Sequence, residues 1–205
     1  NTGVNLTQKF SLGYRDGSFM VDYYYTDFHN QIVTDVESAR MVNFYNLAGK
    51  SYSHSLNFQL DYELIHKLNL RWAYRYLDVK STYSGVLKQR PLVAKDRAFF
   101  NANYETRNKW KLNYTLQWIS TKRLPQTDQY SEMQSPAFFQ MNAQLNKAFM
   151  MDKLEVYAGV ENLTNYLQQP LILFADQPNN PGFDASQVWG PVMGRNIYIG
   201  FRWKS

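Results

Sequence analysis

The 205 residues contain no cysteine. That absence excludes disulfide scaffolds, thiolate metal sites and cysteine nucleophiles together. No run approaches the ~18 consecutive apolar residues of a membrane helix, and the mean hydropathy is −0.52, so a helical membrane protein is excluded too. The opening residues, Asn1-Thr2-Gly3-Val4, show neither the charged nor the apolar part of a signal peptide. The expectation is a removed signal or an internal start. The three histidines, His29, His54 and His66, do not stand at metal-ligand spacing, and no His-Glu-x-x-His box occurs. Gly190-Pro191-Val192-Met193-Gly194 precedes a strand rather than opening a helix, which excludes a phosphate loop. No nucleophile elbow occurs, and the net charge of +5 is too modest to mark a nucleic-acid surface by itself. No cofactor, metal, nucleic-acid partner or enzymatic activity is expected.

Aromatic residues are abundant instead: 16 Tyr, 13 Phe and 5 Trp make up 17% of a hydrophilic chain. Unfolded chains are poor in such residues, so disorder is excluded. Their distribution explains the pairing. From Ser51 to Leu64 the even positions read Tyr52, His54, Leu56, Phe58, Leu60, Tyr62 and Leu64, and the odd ones are all Ser, Asn, Gln, Asp or Glu. Strict alternation is the mark of a strand with one apolar and one polar face. The same period runs through 4–14, 19–26, 68–76, 97–105, 110–118, 139–146, 154–161 and 197–204, which predicts nine strands and no helix.

The connections alternate in length. Short turns are expected at Arg15-Asp16-Gly17-Ser18, Ile65-His66-Lys67, Arg107-Asn108-Lys109 and Met150-Met151-Asp152-Lys153. Long loops are expected at 28–43, 79–96, 120–137 and 164–194, the last two holding most of the proline. Asp61 and Glu63 share one polar face, and with Arg71 and Arg75 nearby they read as cross-strand charge pairs rather than as an acid–base couple.

Soluble sheets have strands of about 5–6 residues. Outer-membrane barrels need ~9–11, with short turns on one rim, long loops on the other and aromatic girdles at both interfaces. The runs here have the longer length. Tyr14, Phe19, Tyr62, Tyr104, Trp110 and Phe149 cluster beside the short turns, where a girdle would sit. Charged polar faces suit a hydrated lumen. An odd strand count does not close a single-chain barrel, and the first strand descends from an outer loop, so a portion of a larger barrel is expected. Two alternatives stay open. One is a complete outer-membrane barrel of about eight or ten strands, a porin or adhesin. The other is a soluble ligand-binding barrel with a dry interior lined by Leu56, Phe58 and Leu60.

Four stretches carry a family resemblance. They are Asp22–Val33, Phe44–Ser53, Gly159-Val160-Glu161-Asn162-Leu163-Thr164-Asn165 with its neighbours Ala158 and Tyr166, and Phe183–Pro191 leading into Gly194–Trp203. On these the chain resembles the C-terminal part of the β-barrel of TonB-dependent outer-membrane receptors, most closely the Bacteroidetes-type branch. The resemblance implies an all-β antiparallel transmembrane barrel, of which residues 1–205 are the last nine of 22 strands. It implies short periplasmic turns, long extracellular loops and a bacterial outer-membrane location. It also implies a plug domain and a TonB-contacting segment, both outside these 205 residues. Its partners would be membrane lipid, the remaining strands and plug of the same receptor, TonB and a small nutrient such as a ferric siderophore. Family members usually end on an aromatic or large apolar residue, whereas here Trp203 is followed by Lys204 and Ser205. Ligand contacts are expected from Lys122, Arg123 and Tyr130 in the third long loop, and from Phe174, Asp176, Phe183 and Trp189 in the fourth. For any one of these the plainer expectation is that the loops pack on one another.

Overall fold

The computed structural model describes residues 1–38, 41–125 and 134–204. Twelve strands appear in order: β1 (Thr2–Leu12), β2 (Arg15–Asp27), β3 (Ile32–Asp35), β4 (Asn43–Asn46), β5 (Ser51–Ile65), β6 (Leu68–Tyr83), β7 (Val86–Gln89), β8 (Asp96–Glu105), β9 (Trp110–Ile119), β10 (Phe138–Phe149), β11 (Leu154–Glu161) and β12 (Asn196–Trp203). The nine strands read from alternation form one antiparallel meander, β1-β2-β5-β6-β8-β9-β10-β11-β12. β7 adds to the end of β6, and β3 and β4 form a separate hairpin. No helix occurs among the described residues.

Register converts the alternation into two chemically different faces. One cross-strand row runs Leu6, Val21, Phe58, Tyr74, Ala98, Trp118, Phe139. A polar row runs Lys9, Ser18, Asp61, Arg71, Asn101, Thr115, Asn142. A slip of one residue in any strand would exchange the faces, so the hydrophobic pattern and register fix each other. The apolar face is open: Phe58 is 40% and Ile199 79% exposed. Water does not tolerate so broad an apolar surface. The dry interior lined by Leu56, Phe58 and Leu60 is therefore not found. The sheet is a portion of a barrel wall, with β1 and β12 at its two edges rather than paired with each other.

Three details depart from expectation. The first turn is Gly13-Tyr14, not Arg15–Ser18. Both residues have positive φ, 60° and 59°, the pair of values a two-residue type I′ hairpin needs. Asp16-Gly17 imitates that signature, but Gly17 lies within β2 opposite Phe10, whose ring covers it. Secondly, the first two long loops contain strands. Residues 32–35 and 43–46 pair as the β3–β4 hairpin, and β6 continues past residue 76 to Tyr83 before turning back as β7. Thirdly, Arg75 has no acidic partner among the described residues: Asp61 pairs with Arg71 at 2.6 Å, and Glu63 meets Arg15 at 3.5 Å.

All short turns fall on one rim, where Lys204 N–H bonds Lys153 C=O at 2.8 Å. The long loops fall on the other. There the described residues build a small buried apolar cluster of Leu124, Phe138 and Trp189, flanked by Leu92, Ile119 and Tyr166.

Candidate functional site

The long-loop rim is organised from asparagine and glutamine outward. Asn162 and Asn165, from the Glu-Asn-Leu-Thr-Asn stretch, take left-handed φ values of 50° and 52°. Asparagine adopts that region more readily than most side chains. Asn162 donates to Tyr166 C=O at 2.8 Å and to Met193 C=O at 3.1 Å, and accepts from Tyr166 N–H at 3.1 Å. Asn165 accepts Arg195 N–H at 2.8 Å. One short segment thus ties both ends of the fourth loop together. Further along, Gln168 is 1% exposed. Its carbonyl accepts Trp189 N–H at 2.8 Å and Gly190 N–H at 2.9 Å, and its amide donates to Gln187 C=O at 2.6 Å and Pro170 C=O at 3.2 Å.

Trp189 is thereby held against the Phe138 and Tyr166 rings, which stack on each other at 5.0 Å. Lys122 enters this aromatic cluster. Its ammonium donates to Trp189 C=O and lies 5.5 Å from the Phe138 ring centre. Burial holds that ammonium below the ordinary lysine range, and the charge of Arg97 pushes the same way. Burial likewise raises the Tyr166 phenol.

Arg123 points elsewhere. Its guanidinium grips the Glu37 carboxylate of the first loop with two nitrogens and donates through Nε to Gln89 C=O at 2.6 Å. It also lies 5.8 Å from the Tyr83 ring centre. Adjacent cations in the third loop therefore join different neighbours: Lys122 the fourth loop, Arg123 the first and second. The first loop is held further by Tyr45 donating to Asp35 at 2.7 Å and by Lys50 N–H donating to Thr82 Oγ1 at 3.0 Å. Burial, then the Asp35 hydrogen bond, raises the Tyr45 phenol.

Of the residues expected to contact ligand, Lys122 and Trp189 meet in the aromatic cluster, and Arg123 is engaged by Glu37 and Gln89 of the first and second loops. Tyr130 lies outside the described residues. Phe174, Asp176 and Phe183 sit further out on the fourth loop. Phe174 and Phe183 are half-buried, and Asp176 is exposed. The Leu173–Asp184 bridge joins the two sides of that excursion. Sequence reading did not single out Glu37, Gln89 or Gln168. None of the three carries a sequence signal: Glu37 shares its loop with Asp35, and its partner Arg123 lies 86 residues away.

Below the loops the polar face is rich in amides. Asn101 donates to Thr115 at 2.9 Å, Asn103 to Asn101 at 2.6 Å, and Asn146 to Glu155 at 2.7 Å. Such a surface binds water and neutral polar groups through both donors and acceptors. The described residues include no group of His, Asp or Glu placed to hold a metal. The arrangement can bind and guide a solute.

The profile of the family described as TonB dependent receptor-like, beta-barrel, matches residues 2–163. No curated protein sequence matches the chain. Among solved structures, it is similar to the FrpB iron transporter from Neisseria meningitidis (F3-3 variant), with TM-score 0.62 and 12% identity over 97% of this chain and 30% of that one. The siderophore receptor PiuA from Acinetobacter baumannii gives TM-score 0.62 and 16% identity over 98% of this chain and 28% of that one. BauA, the ferric preacinetobactin receptor of Acinetobacter baumannii, gives TM-score 0.52 and 17% identity, covering 80% and 25%. The chain spans less than a third of the length of each, and at these identities the likeness concerns the fold.

Proposed function

The chain belongs to the TonB-dependent receptor β-barrel family, whose barrels stand in the outer membrane, and from that premise we propose that it is the C-terminal wall of a nutrient importer. The remaining strands and the plug domain lie elsewhere in the same receptor, and TonB energises transport through a segment outside residues 1–205. The solute is scarce outside the cell and too large for passive pores, with a ferric siderophore the leading class. One observation carries this reading: a single wall has a continuous apolar face, a continuous polar face, tight turns on one rim and a knitted cap of loops on the other. A wall of this kind admits lipid outside and water or a plug inside. Similarity to structures described as an iron transporter and siderophore receptors supports the choice of solute. Within that reading, the half-buried Phe174 and Phe183 and the exposed Asp176 are offered to an arriving ligand, while Lys122, Arg123 and Trp189 hold the loops that present them.

The test is radioiron accumulation by cells carrying the full-length receptor. Uptake should fall to background when TonB is deleted. Equal uptake with and without TonB would contradict the proposal.

A further inference from the structure

Among the described residues, the apolar face of β9 to β12 carries one charge, Lys147. Its companions on that face of β10 are Phe139, Met141, Ala143, Leu145 and Phe149. Register sets it between Trp110 of β9 and Val156 of β11. A lysine stem can lie along apolar surface while its ammonium reaches a polar layer.

That ammonium is held in place. It donates to Asn108 C=O in the turn between β8 and β9, and lies 5.2 Å from the Trp110 ring centre and 5.7 Å from that of Phe149. Both rings are within cation–π reach. An ammonium has three N–H donors, and Asn108 takes one. Lys147 makes no ion pair among the described residues.

The turns at 106–109 and 150–153 flank a cleft of about 450 Å³ at this point. Arg107, Lys109 and Lys147 line it with a single carboxylate, Asp152, which Lys109 already holds at 2.7 Å. Positive charge is therefore in excess. The remaining wall is apolar, from Trp110, Phe149 and the exposed Met150 and Met151. The cleft opens onto the apolar face, which continues through the cross-strand pair Leu112 and Leu145. A cationic cleft above a continuous apolar surface matches the two halves of a phospholipid, a phosphate headgroup and acyl chains. Depth agrees: Lys147 lies two residues, ~7 Å of strand, before the end of β10, at the level of an interfacial aromatic girdle.

We propose that this cleft is a lipid site that holds the phosphate of an anionic phospholipid of the periplasmic leaflet, with Lys147 as its main contact. This rests on the membrane-barrel part of the receptor reading, which turns the apolar face to lipid and the short turns to the periplasm.

Native mass spectrometry of the full-length receptor tests it. Phosphatidylglycerol is the anionic probe, and a galactosyl diacylglycerol with the same acyl chains is the phosphate-free one. The wild type should prefer phosphatidylglycerol by about tenfold, the order of one charge-assisted hydrogen bond. Lys147→Gln should remove the preference, and Lys147→Arg should keep it. Lys111→Gln is the control: it removes the same charge from the polar face of β9, opposite Asn146, and should leave the preference unchanged. No preference in the wild type, a preference that survives Lys147→Gln, or an equal loss in Lys111→Gln would each overturn the proposal. Displacement of phosphatidylglycerol by lipid A would overturn it too, by assigning the site to the other leaflet. TonB-independent uptake alongside the expected lipid preference would overturn the importer reading and leave the lipid site standing. TonB-dependent uptake without the preference would overturn the lipid site alone.

Discussion

The two rims of this wall are built by opposite strategies. On the short-turn rim, each connection is decided by the residues within it. Gly13-Tyr14 takes two left-handed conformations, and Lys67, Lys109, Met150, Met151 and Asp152 also have positive φ. Charges there pair with near neighbours across the turns: Lys67 with Glu105 and Lys109 with Asp152, both at 2.7 Å. On the long-loop rim, order comes from single side chains that reach distant backbone. Gln168 spans the fourth loop, Arg123 joins three loops, and Lys122 reaches Trp189. A local rim tolerates the loss of any one residue. A rim held by a few hubs does not.

The largest expected effect is therefore at Gln168. Gln168→Ala orphans Trp189 N–H and Gln187 C=O, at ~1–3 kcal/mol for each buried group left unsatisfied. Hydrogen exchange across 164–194 should rise steeply while residues 147–154 keep their protection. Equal loosening of both rims would break the contrast. Next comes Arg123→Lys, which keeps the charge but loses the fork on Glu37, at about 1–3 kcal/mol. Limited proteolysis should then open the first and second loops and leave the fourth intact.

Substitution on the opposite rim should stay local. Gly13→Val places a β-branched residue at φ 60°, at about 1–2 kcal/mol. Cleavage should appear at the first turn alone, with loop protection unchanged. The smallest effect is a pH response. The Lys109 hydrogen bond holds the Asp152 carboxyl below its ordinary range. A depressed carboxyl stabilises the fold above its unfolded pKa and loses that contribution as pH falls through the folded one. Exchange in the turn at 150–153 should therefore quicken only in the acid range, below the ordinary aspartate pKa of about 3.9, and Asp152→Asn should remove the dependence.

The same contrast decides how much was readable from sequence. All nine wall strands follow from period two, because the apolar face repeats across the whole chain. The first turn was misplaced because Asp16-Gly17 carries the usual turn chemistry, and only pairing with Phe10 puts Gly17 inside β2. The strands β3, β4 and β7 are four residues each, too short for alternation to distinguish them from loop. Lys122, Arg123 and Trp189 stood out by residue type. Packing of the loops on one another is the plainer expectation for each, but composition does not tell which way a side chain turns, and so the neighbour each one holds was not legible. Arg75 was expected to pair with an acid because neighbours in sequence suggested it; register gives Asp61 to Arg71 instead.

The central claim is that the apolar face meets lipid and the polar face meets the lumen. The absence of cysteine from this stretch makes it directly measurable. Single cysteines at positions 56 to 61 of the full-length receptor, spin-labelled in a bilayer, should alternate strictly. Labels replacing Leu56, Phe58 and Leu60 should collide with oxygen dissolved in lipid, and those replacing Asn57, Gln59 and Asp61 should be shielded from it. Uniform oxygen accessibility, or alternation in the opposite phase, would contradict the account.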